Sequence, residues 1–573
     1  MKVLGVHDGH SASACIIDDG QVVAAIQEER LTREKNRGGA PETAVQRILE
    51  LTGTSLPEID QVAFSTLEFR NPGLHSTADV MTVFNRTFTA PAEQLALESR
   101  GGAVEQQRRR TEFLRDAGYP EERIQFIDHH TCHAATAYFA RGTFDREVLV
   151  LTSDGHGDDL CASVSVGSNG KLTRLASVQR DDSIAAIYGY VTYLLGFVPL
   201  EHEYKLMGMA PYAEKTKAAS EICALFESMF EMDPAEPLIW KRRSGTPPVT
   251  EMAPMLLDLL RFRRFDTVTA GLQMFAERVT TQWVTNVIRS LGITDLAFGG
   301  GLFMNVKINQ RIAALPEVTS AFFCPSGGDE SNSLGAAWVA ADTAPSPSDA
   351  GHRPLPGLYL GSEYTNADVA AAVDQHTFLK NVRVREVDDI EDQCAALLAD
   401  KNIVARFAGR MEFGARALGN RSILANPSDP DATLIINQMV KKRDFWMPFA
   451  PTVLRERAHD YLTDWREFGG EYMAQAFSLK EDKFHELRAA VHPQDHTCRP
   501  QILSAEANPH YHRLIKLFEQ RTGIGAVLNT SFNLHGYPIV ESPTQALRVF
   551  DLSGLRYLAL GNLLIEQVDA PAS

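Results

Sequence analysis

The sequence is short of cysteine, of net positive charge and of long apolar runs, and each shortage excludes something. Its seven cysteines (Cys15, Cys132, Cys161, Cys223, Cys324, Cys394 and Cys498) are scattered, with no C-x-x-C pair. A structural zinc finger needs such a pair, and dispersed thiols fit a reducing compartment. Lys and Arg number 56 against 73 Asp and Glu, a net charge of −17. Nucleic-acid and anionic-membrane surfaces need a basic footprint, so neither partner is expected; a local basic pocket stays open. The longest apolar stretch, "AIYGYVTYLLGFVPL" from Ala186 to Leu200, is too short and too aromatic for a membrane span. The opening "MKVLGVHDGH" lacks the apolar core of a secretory signal and reads as a strand. A cytoplasmic protein is expected. Its 44% apolar and 23% charged residues are ordinary for a globular chain, and 573 residues require two or more domains.

The zinc-protease signature H-E-x-x-H is also missing. In "IDHHTCHAATAY" (127–138), His130 stands where that signature has its Glu base. What is present is a pair, His129 and His133, four residues apart. On a helix both imidazoles leave from one face, one turn apart, so a single metal could take both. Two readings stand at this point: half of a metal site, or a His-rich turn that caps and packs.

A weak internal repeat organises the first half. "VLGVHDGHSASACIIDDGQVVAAI" and "LVLTSDGHGDDLCASVSVGSNGKLTRLASV" each run strand, Asp-Gly-His, strand, turn, strand. The turns are Asp19-Gly20 and Asn169-Gly170, strong hairpin signals. The repeat predicts a duplicated α/β fold. Farther on, "TDLAFGGGLFMN" reads as strand, glycine run and helix, with Gly300, Gly301 and Asn305 in the position of a nucleotide loop. A tight turn is the competing reading. Segments 66–125 and 225–265 lack the regularity and read as insertions on a first domain covering 1–345. A Pro-, Ser- and Gly-rich linker covers 346–357 and a second domain covers 358–573.

The second domain concentrates cations that the rest of the chain lacks. Arg416, Arg421, Lys441, Lys442, Arg443 and Arg499 fall in short loops with Asn529, Ser531 and Asn533. Guanidinium forks and ammonium groups suit a small phosphorylated substrate. Taken singly, each could equally be a surface ion pair; the grouping favours an anion site.

"EFGARALGNRSILANP", "FWMPFAPTVL" and "LNTSFNLHGYPIV", joined to "VHDGHSASA" and "DHHTCHAA", resemble the NodU/CmcH-type O-carbamoyltransferases, in the right order over almost the whole chain. The resemblance implies a first domain like the actin-like ATPases and a second like the YrdC carbamoyl-adenylate-forming domains. It implies that carbamoyl phosphate is cleaved to carbamate in the second domain, adenylated with Mg2+-ATP, and passed as carbamoyl-AMP to an alcohol in the first. It adds Asp154 and Asp329 to His129 and His133 as metal ligands. That mixed N/O set suits iron(II), with manganese(II) also fitting, better than closed zinc. It makes His10 the base on the acceptor hydroxyl and Arg416 a catalytic cation. It places Lys205 of "YKLMGMAP" against phosphate or a carboxylate, and Gly300, Gly301 and Asn305 at the nucleotide. Lys441, Arg443, Arg499, Arg421, Asn529 and Ser531 are implied for carbamoyl phosphate and ATP. Two departures stand out. The arginine before P-F-A is Met447, whose contact Lys442 or Arg443 could supply. The acidic residue upstream of K-L-M-G is displaced to Glu201 or Glu203. The expected partner is a small-molecule alcohol; the oligomeric state is not fixed, and a homodimer is open. The alternatives are a tRNA threonylcarbamoyl-transfer enzyme, which the −17 charge disfavours, and an actin-like ATP-binding scaffold without chemistry.

Overall fold

A computed structural model describes residues 1–68, 75–89, 103–343 and 351–568. The chain divides into two compact units, Met1–Pro356 and Gly357–Ser573.

The first unit opens with a hairpin sheet. Strands β1 (Lys2–His7), β2 (Ser13–Asp18) and β3 (Gln21–Gln27) pair antiparallel. Asp19 (φ 44°) and Gly20 (φ 77°) turn β2 into β3 with both residues left-handed, as a tight two-residue hairpin requires. Strands β4 (Gln61–Ser65) and β5 (Ile124–Ile127) add in parallel, in the order β3-β2-β1-β4-β5. The same pattern then recurs. Strands β6 (Val148–Gly157), β7 (Leu160–Ser168) and β8 (Lys171–Gln179) form the hairpins, with Asn169 (φ 51°) and Gly170 (φ 74°) at the second turn. A small ribbon of β9 (Phe230–Glu231) and β10 (Lys241–Arg242) lies in the 225–265 segment. Strands β11 (Asp295–Gly299) and β12 (Ser320–Phe323) complete the second sheet, order β12-β11-β6-β7-β8. Numbered from its own first strand, each sheet is 3-2-1-4-5, the duplicated arrangement of the actin-like ATPases. The Asp-Gly-His of each copy follows or ends the first strand, at equivalent positions.

Small residues let the halves close on each other. A Cβ on Gly335, in helix Asn332–Thr343, would meet the Cys132 carbonyl at 2.0 Å; one on Gly5 of β1 would meet the Ser333 carbonyl at 2.0 Å. Of the 66–125 segment, helices Thr77–Thr89, Ala103–Arg110 and Glu112–Asp116 are described, while 69–74 and 90–102 lie outside the described residues. Of the 346–357 linker, 346–350 lie outside them as well. Its later part is not loose: Arg353 donates to the Gly20 carbonyl (3.0 Å) and Leu355 to that of Ala140 (3.1 Å).

The second unit is an eight-stranded mixed sheet. Its strands are β13 (Val382–Glu386), β14 (Val404–Phe407), β15 (Arg421–Ala425), β16 (Ala450–Leu454), β19 (Gln501–Leu503), β20 (Ala526–Ser531), β21 (Tyr557–Leu560) and β22 (Leu563–Gln567); β17 (Phe477–Ser478) and β18 (Thr497–Cys498) form a separate ribbon. The order is β13-β22-β21-β14-β15-β20-β16-β19. Successive residues enter different cores, Val404 one and Ala405 the other, because side chains alternate across a strand. Helix Pro430–Ile436 runs into a wider turn, Asn437–Lys441, which stops at Lys442 in the left-handed region (φ 45°). Such widened turns re-aim side chains, and this one sends Lys441 inward.

Candidate active sites

The helix His129–Arg141 begins where β5 ends. Asp128 caps it, accepting from Thr131 N–H at 2.8 Å, so the first turn is fixed and both histidines leave from one face. His129 Nε2 and His133 Nε2 lie 3.1 Å apart. Asp154, within β6, brings Oδ2 to 3.3 Å from His129 and 3.8 Å from His133. Asp329, after β12, brings Oδ1 to 3.5 and 3.3 Å. One ligand atom from each of the four lies within 4.8 Å of all the others. The donor set fits a divalent cation. Burial opposes a proton on His133, but the bonds and charges of Asp154 and Asp329 outweigh it and push its pKa up to about 9. The four groups together therefore favour positive charge between them. His129 Nδ1 meets Thr66 Oγ at 3.0 Å; with its proton there, Nε2 is left as an acceptor facing the quartet.

Several groups that the sequence did not single out surround the quartet. His7 Nε2 lies 3.1 Å from the His10 carbonyl, which can only accept, so Nε2 carries the proton and the Ser65 hydroxyl donates to Nδ1 (2.7 Å). The same Nε2 is 4.0 Å from Asp329. Asn332 Nδ2 reaches His133 Nε2 at 3.2 Å, and Asp158 accepts from the His129 N–H at 2.7 Å. His7 was legible only as the residue before the first Asp-Gly-His; the others carry no local signal. His10 is half-buried in the turn after β1, with Ser11 Oγ at 3.2 Å. Burial lowers its pKa, against the opposing pull of Asp329, Glu29, Glu201 and Asp154.

The glycine run borders this quartet. Gly301 N–H donates to Asp154 Oδ1 at 3.0 Å, and a Cβ on Gly301 would sit 2.5 Å from that oxygen. Gly300 has φ 101° and abuts the Ser153 carbonyl. Asn305 caps helix Val306–Ala313, accepting from Lys307 and Ile308 N–H (both 3.2 Å), and its Nδ2 donates to Gln273 Oε1 at 2.8 Å. Lys205, on helix Glu203–Met209, holds Nζ 5.3 Å from the Phe197 ring. Of the two acidic residues before it, Glu201 accepts from Lys35, and its bonds with His202 and Lys35 overcome burial to hold it at about 2. Burial pushes Glu203 up to about 7.

In the second unit, Lys441 is the centre of a compact polar nest. Its buried Nζ donates to Ser531 O (2.5 Å) and Oγ (3.1 Å) and to Asn533 O (3.2 Å) and Oδ1 (2.6 Å). Elsewhere in this unit, burial and then the charges of Arg416 and Arg443 hold the Arg499 guanidinium well below its usual range. Arg416 and Arg443 each lie close enough to repel Arg499, a grouping that suits an anion. Asn529 Nδ2 donates to the Ala417 carbonyl (3.2 Å) and Thr452 Oγ (3.1 Å), tying β20 to the loop of Arg416, and its Oδ1 is buried without a partner.

Two sequence profiles match the chain, Carbamoyltransferase N-terminus over residues 2–338 and Carbamoyltransferase C-terminus over 395–567. The chain belongs to the carbamoyltransferase family. Nodulation protein NolNO of Sinorhizobium fredii is 32% identical over 97% of this chain and 79% of its own. Protein sll1178 of Synechocystis is 29% identical over 98% and 96%. The 3'-hydroxymethylcephem-O-carbamoyltransferase of Streptomyces clavuligerus is 26% identical over 62% and 63%.

Within this carbamoyltransferase two expected contacts take another form. Arg421 was expected at phosphate, but it is fully buried. Its guanidinium stacks 3.6 Å from the Phe407 ring and donates to the carbonyls of Ala408 (2.8 Å), Gly409, Asn420 and Ser362. It braces the loop that carries Arg416 instead. Asn305 has its side chain committed to the cap and to Gln273. Met447, in place of the family arginine, is a buried side chain, while Lys442 is exposed. Among the described residues no helix is long and apolar enough to cross a membrane.

Proposed function

We propose that this carbamoyltransferase is an ATP-dependent O-carbamoyltransferase acting on a hydroxyl of a small natural-product or sugar acceptor. The observation that carries the reading is a four-residue His2Asp2 cluster whose aspartates act on His10, in the same chain as a grouping of Arg416 and Arg443 around Arg499. In the second unit Arg416, Arg443 and Arg499 bind carbamoyl phosphate, which water splits to carbamate and phosphate. Carbamate attacks the α-phosphorus of Mg2+-ATP, giving carbamoyl-AMP and releasing pyrophosphate. In the first unit His10 takes the proton of the acceptor hydroxyl, the oxygen bonds to the carbamoyl carbon, and AMP leaves. An alcohol is a poor nucleophile at neutral pH, so a positioned base is what this step needs. His129, His133, Asp154 and Asp329 would hold iron(II) or manganese(II), whose charge would stabilise the departing phosphate. Lys205 would serve the same phosphate, and the relative named for a hydroxymethyl acceptor supports an alcohol.

The test is mass spectrometry of candidate alcohols incubated with the protein, carbamoyl phosphate, ATP, Mg2+ and iron(II). A gain of one carbamoyl group that requires ATP and liberates AMP is expected. Transfer that proceeds equally without ATP would refute the adenylate route.

A further inference from the structure

The segment 66–125, which matches no motif of the chemistry, ends its helix Ala103–Arg110 on a side chain that reaches the centre of the first unit. Arg110 and Asp8 are almost wholly buried, and they meet as a fork: Nε to Oδ2 at 2.7 Å and Nη2 to Oδ1 at 2.8 Å. The remaining donors grip the end of β4, with Nη1 to the carbonyls of Thr66 (2.9 Å) and Leu67 (3.3 Å) and Nη2 to that of Ser65 (3.2 Å). The guanidinium lies over the Phe64 and Phe126 rings at 5.5 and 4.8 Å.

A buried ion pair alone would be ordinary packing, and weak evidence of anything more. The identity of the residues gripped separates this one. The Ser65 hydroxyl orients His7, which bonds to the His10 carbonyl and faces Asp329. The Thr66 hydroxyl receives Nδ1 of the ligand His129. Asp8 stands two residues before His10, in the same turn. One planar group thus holds the strand end behind a metal ligand and the turn that carries the proposed base. A lysine could not, because a single ammonium cannot span both carboxylate oxygens and three carbonyls at these angles.

We propose that Arg110 is a positioning residue, whose fork sets the registration of the Asp8–His10 turn against Ser65–Thr66 and, through Thr66, the ring of His129. This rests on the reading of His129, His133, Asp154 and Asp329 as metal ligands. Its loss leaves all four ligands in the chain and disturbs their aim.

The test uses the full chain, stripped of metal and titrated with Co2+ alone, whose visible bands report ligand geometry without any turnover. Arg110→Gln, Arg110→Lys and Asp8→Asn are each expected to keep a cooperative melt and to bind Co2+ about 10–100-fold more weakly with shifted bands, as loss of outer-sphere support does. Adding free guanidinium to Arg110→Ala should move the bands back toward those of the parent, which a generally damaged fold would not allow. Parent-like affinity and bands in Arg110→Gln overturn the inference. If Arg110→Gln does not fold, Asp8→Asn, which leaves the carbonyl bonds in place, decides by the same criterion. A parent protein that binds no Co2+ overturns the metal reading and this inference together, whereas a parent that binds beside variants that bind identically overturns the inference alone.

Discussion

Gly300 and Gly301 should fail in different ways when a methyl group is added, and the difference tests what the glycine run is for. A Cβ on Gly301 would lie 2.5 Å from Asp154 Oδ1, whereas ordinary contact begins at 3.4 Å. The backbone there needs no left-handed φ, and the obstacle is the tip of a side chain, so the fold can accommodate the alanine by moving the carboxylate about 0.9 Å. A metal site tolerates ligand displacements of only about 0.2 Å. Gly301→Ala is therefore expected to fold normally and to bind Mn2+ at least about tenfold more weakly, the low end of the cost of disturbing a ligand's support. At Gly300 the obstacle is backbone: the Ser153 carbonyl at 2.3 Å, with φ at 101°. Forcing a side chain into such a conformation costs on the order of 1–3 kcal/mol before any clash is counted. Gly300→Ala should lower the melting temperature by several degrees. Isothermal titration with Mn2+ and thermal melting, run on both variants, separate the two effects. Unchanged Mn2+ affinity in Gly301→Ala would refute the claim that this glycine protects Asp154, and would return the run to the nucleotide.

Other variants address the remaining groups. Arg499→Ala should release little phosphate from carbamoyl phosphate, with affinity lowered about ten- to a hundred-fold by loss of a charge-assisted contact, yet still carbamoylate an alcohol from synthetic carbamoyl-AMP. His10→Asn should show the reverse, with phosphate and pyrophosphate released near normally and transfer slowed about 10²–10⁴-fold; failure of both at one step would mean that one pocket does all the chemistry. His133→Ala should carry no bound metal by elemental analysis, and full occupancy would remove the quartet as the site. Glu203 has its pKa raised from 4.5 to about 7 by burial, so the folded state holds that proton more tightly than the unfolded state. Its contribution to stability is complete below 4.5 and is lost as pH rises toward 7. Glu203→Gln should flatten the melting temperature over that window, and a slope equal to the parent's would show that the carboxyl is not buried in solution.

What could be read in advance depended on how local the cause was. The one-face geometry of His129 and His133 follows from helical period alone, and the two hairpins follow from Asp19-Gly20 and Asn169-Gly170. The duplicated sheet was visible because both hairpins repeat in order. Asp154 and Asp329 came only through resemblance, since they join the histidines from other elements, one within β6 and one beyond β12. The cations of the second unit were read as a group, and the group contains two kinds of residue. Lys441, turned inward by a widened helical turn, and Arg421, closed over Phe407, have equally basic letters in equally short motifs. Burial and partner separate them, and neither is written in the neighbouring residues. The glycine run was legible as a place of close approach, and the protein atoms nearest it belong to Ser153 and Asp154. Arg110 lies in "EQQRRRTEFLRDAG", which reads as a charged helix but carries no motif of the chemistry, so nothing local could connect it to Asp8, 102 residues away.

A duplicated sheet offers a designer the same address twice. Asp8, just past the first strand of one repeat, and Asp154, near the end of the first strand of the other, occupy corresponding points, followed in both by glycine and histidine. One is paired with a guanidinium, and the other faces His129 and His133. The two sheets thus share one strand order while differing in chemistry, and one of the differences is a single side chain from outside the repeat. An engineer seeking a second cation centre in this scaffold would begin by deleting Arg110 and importing a histidine pair, leaving the strands untouched.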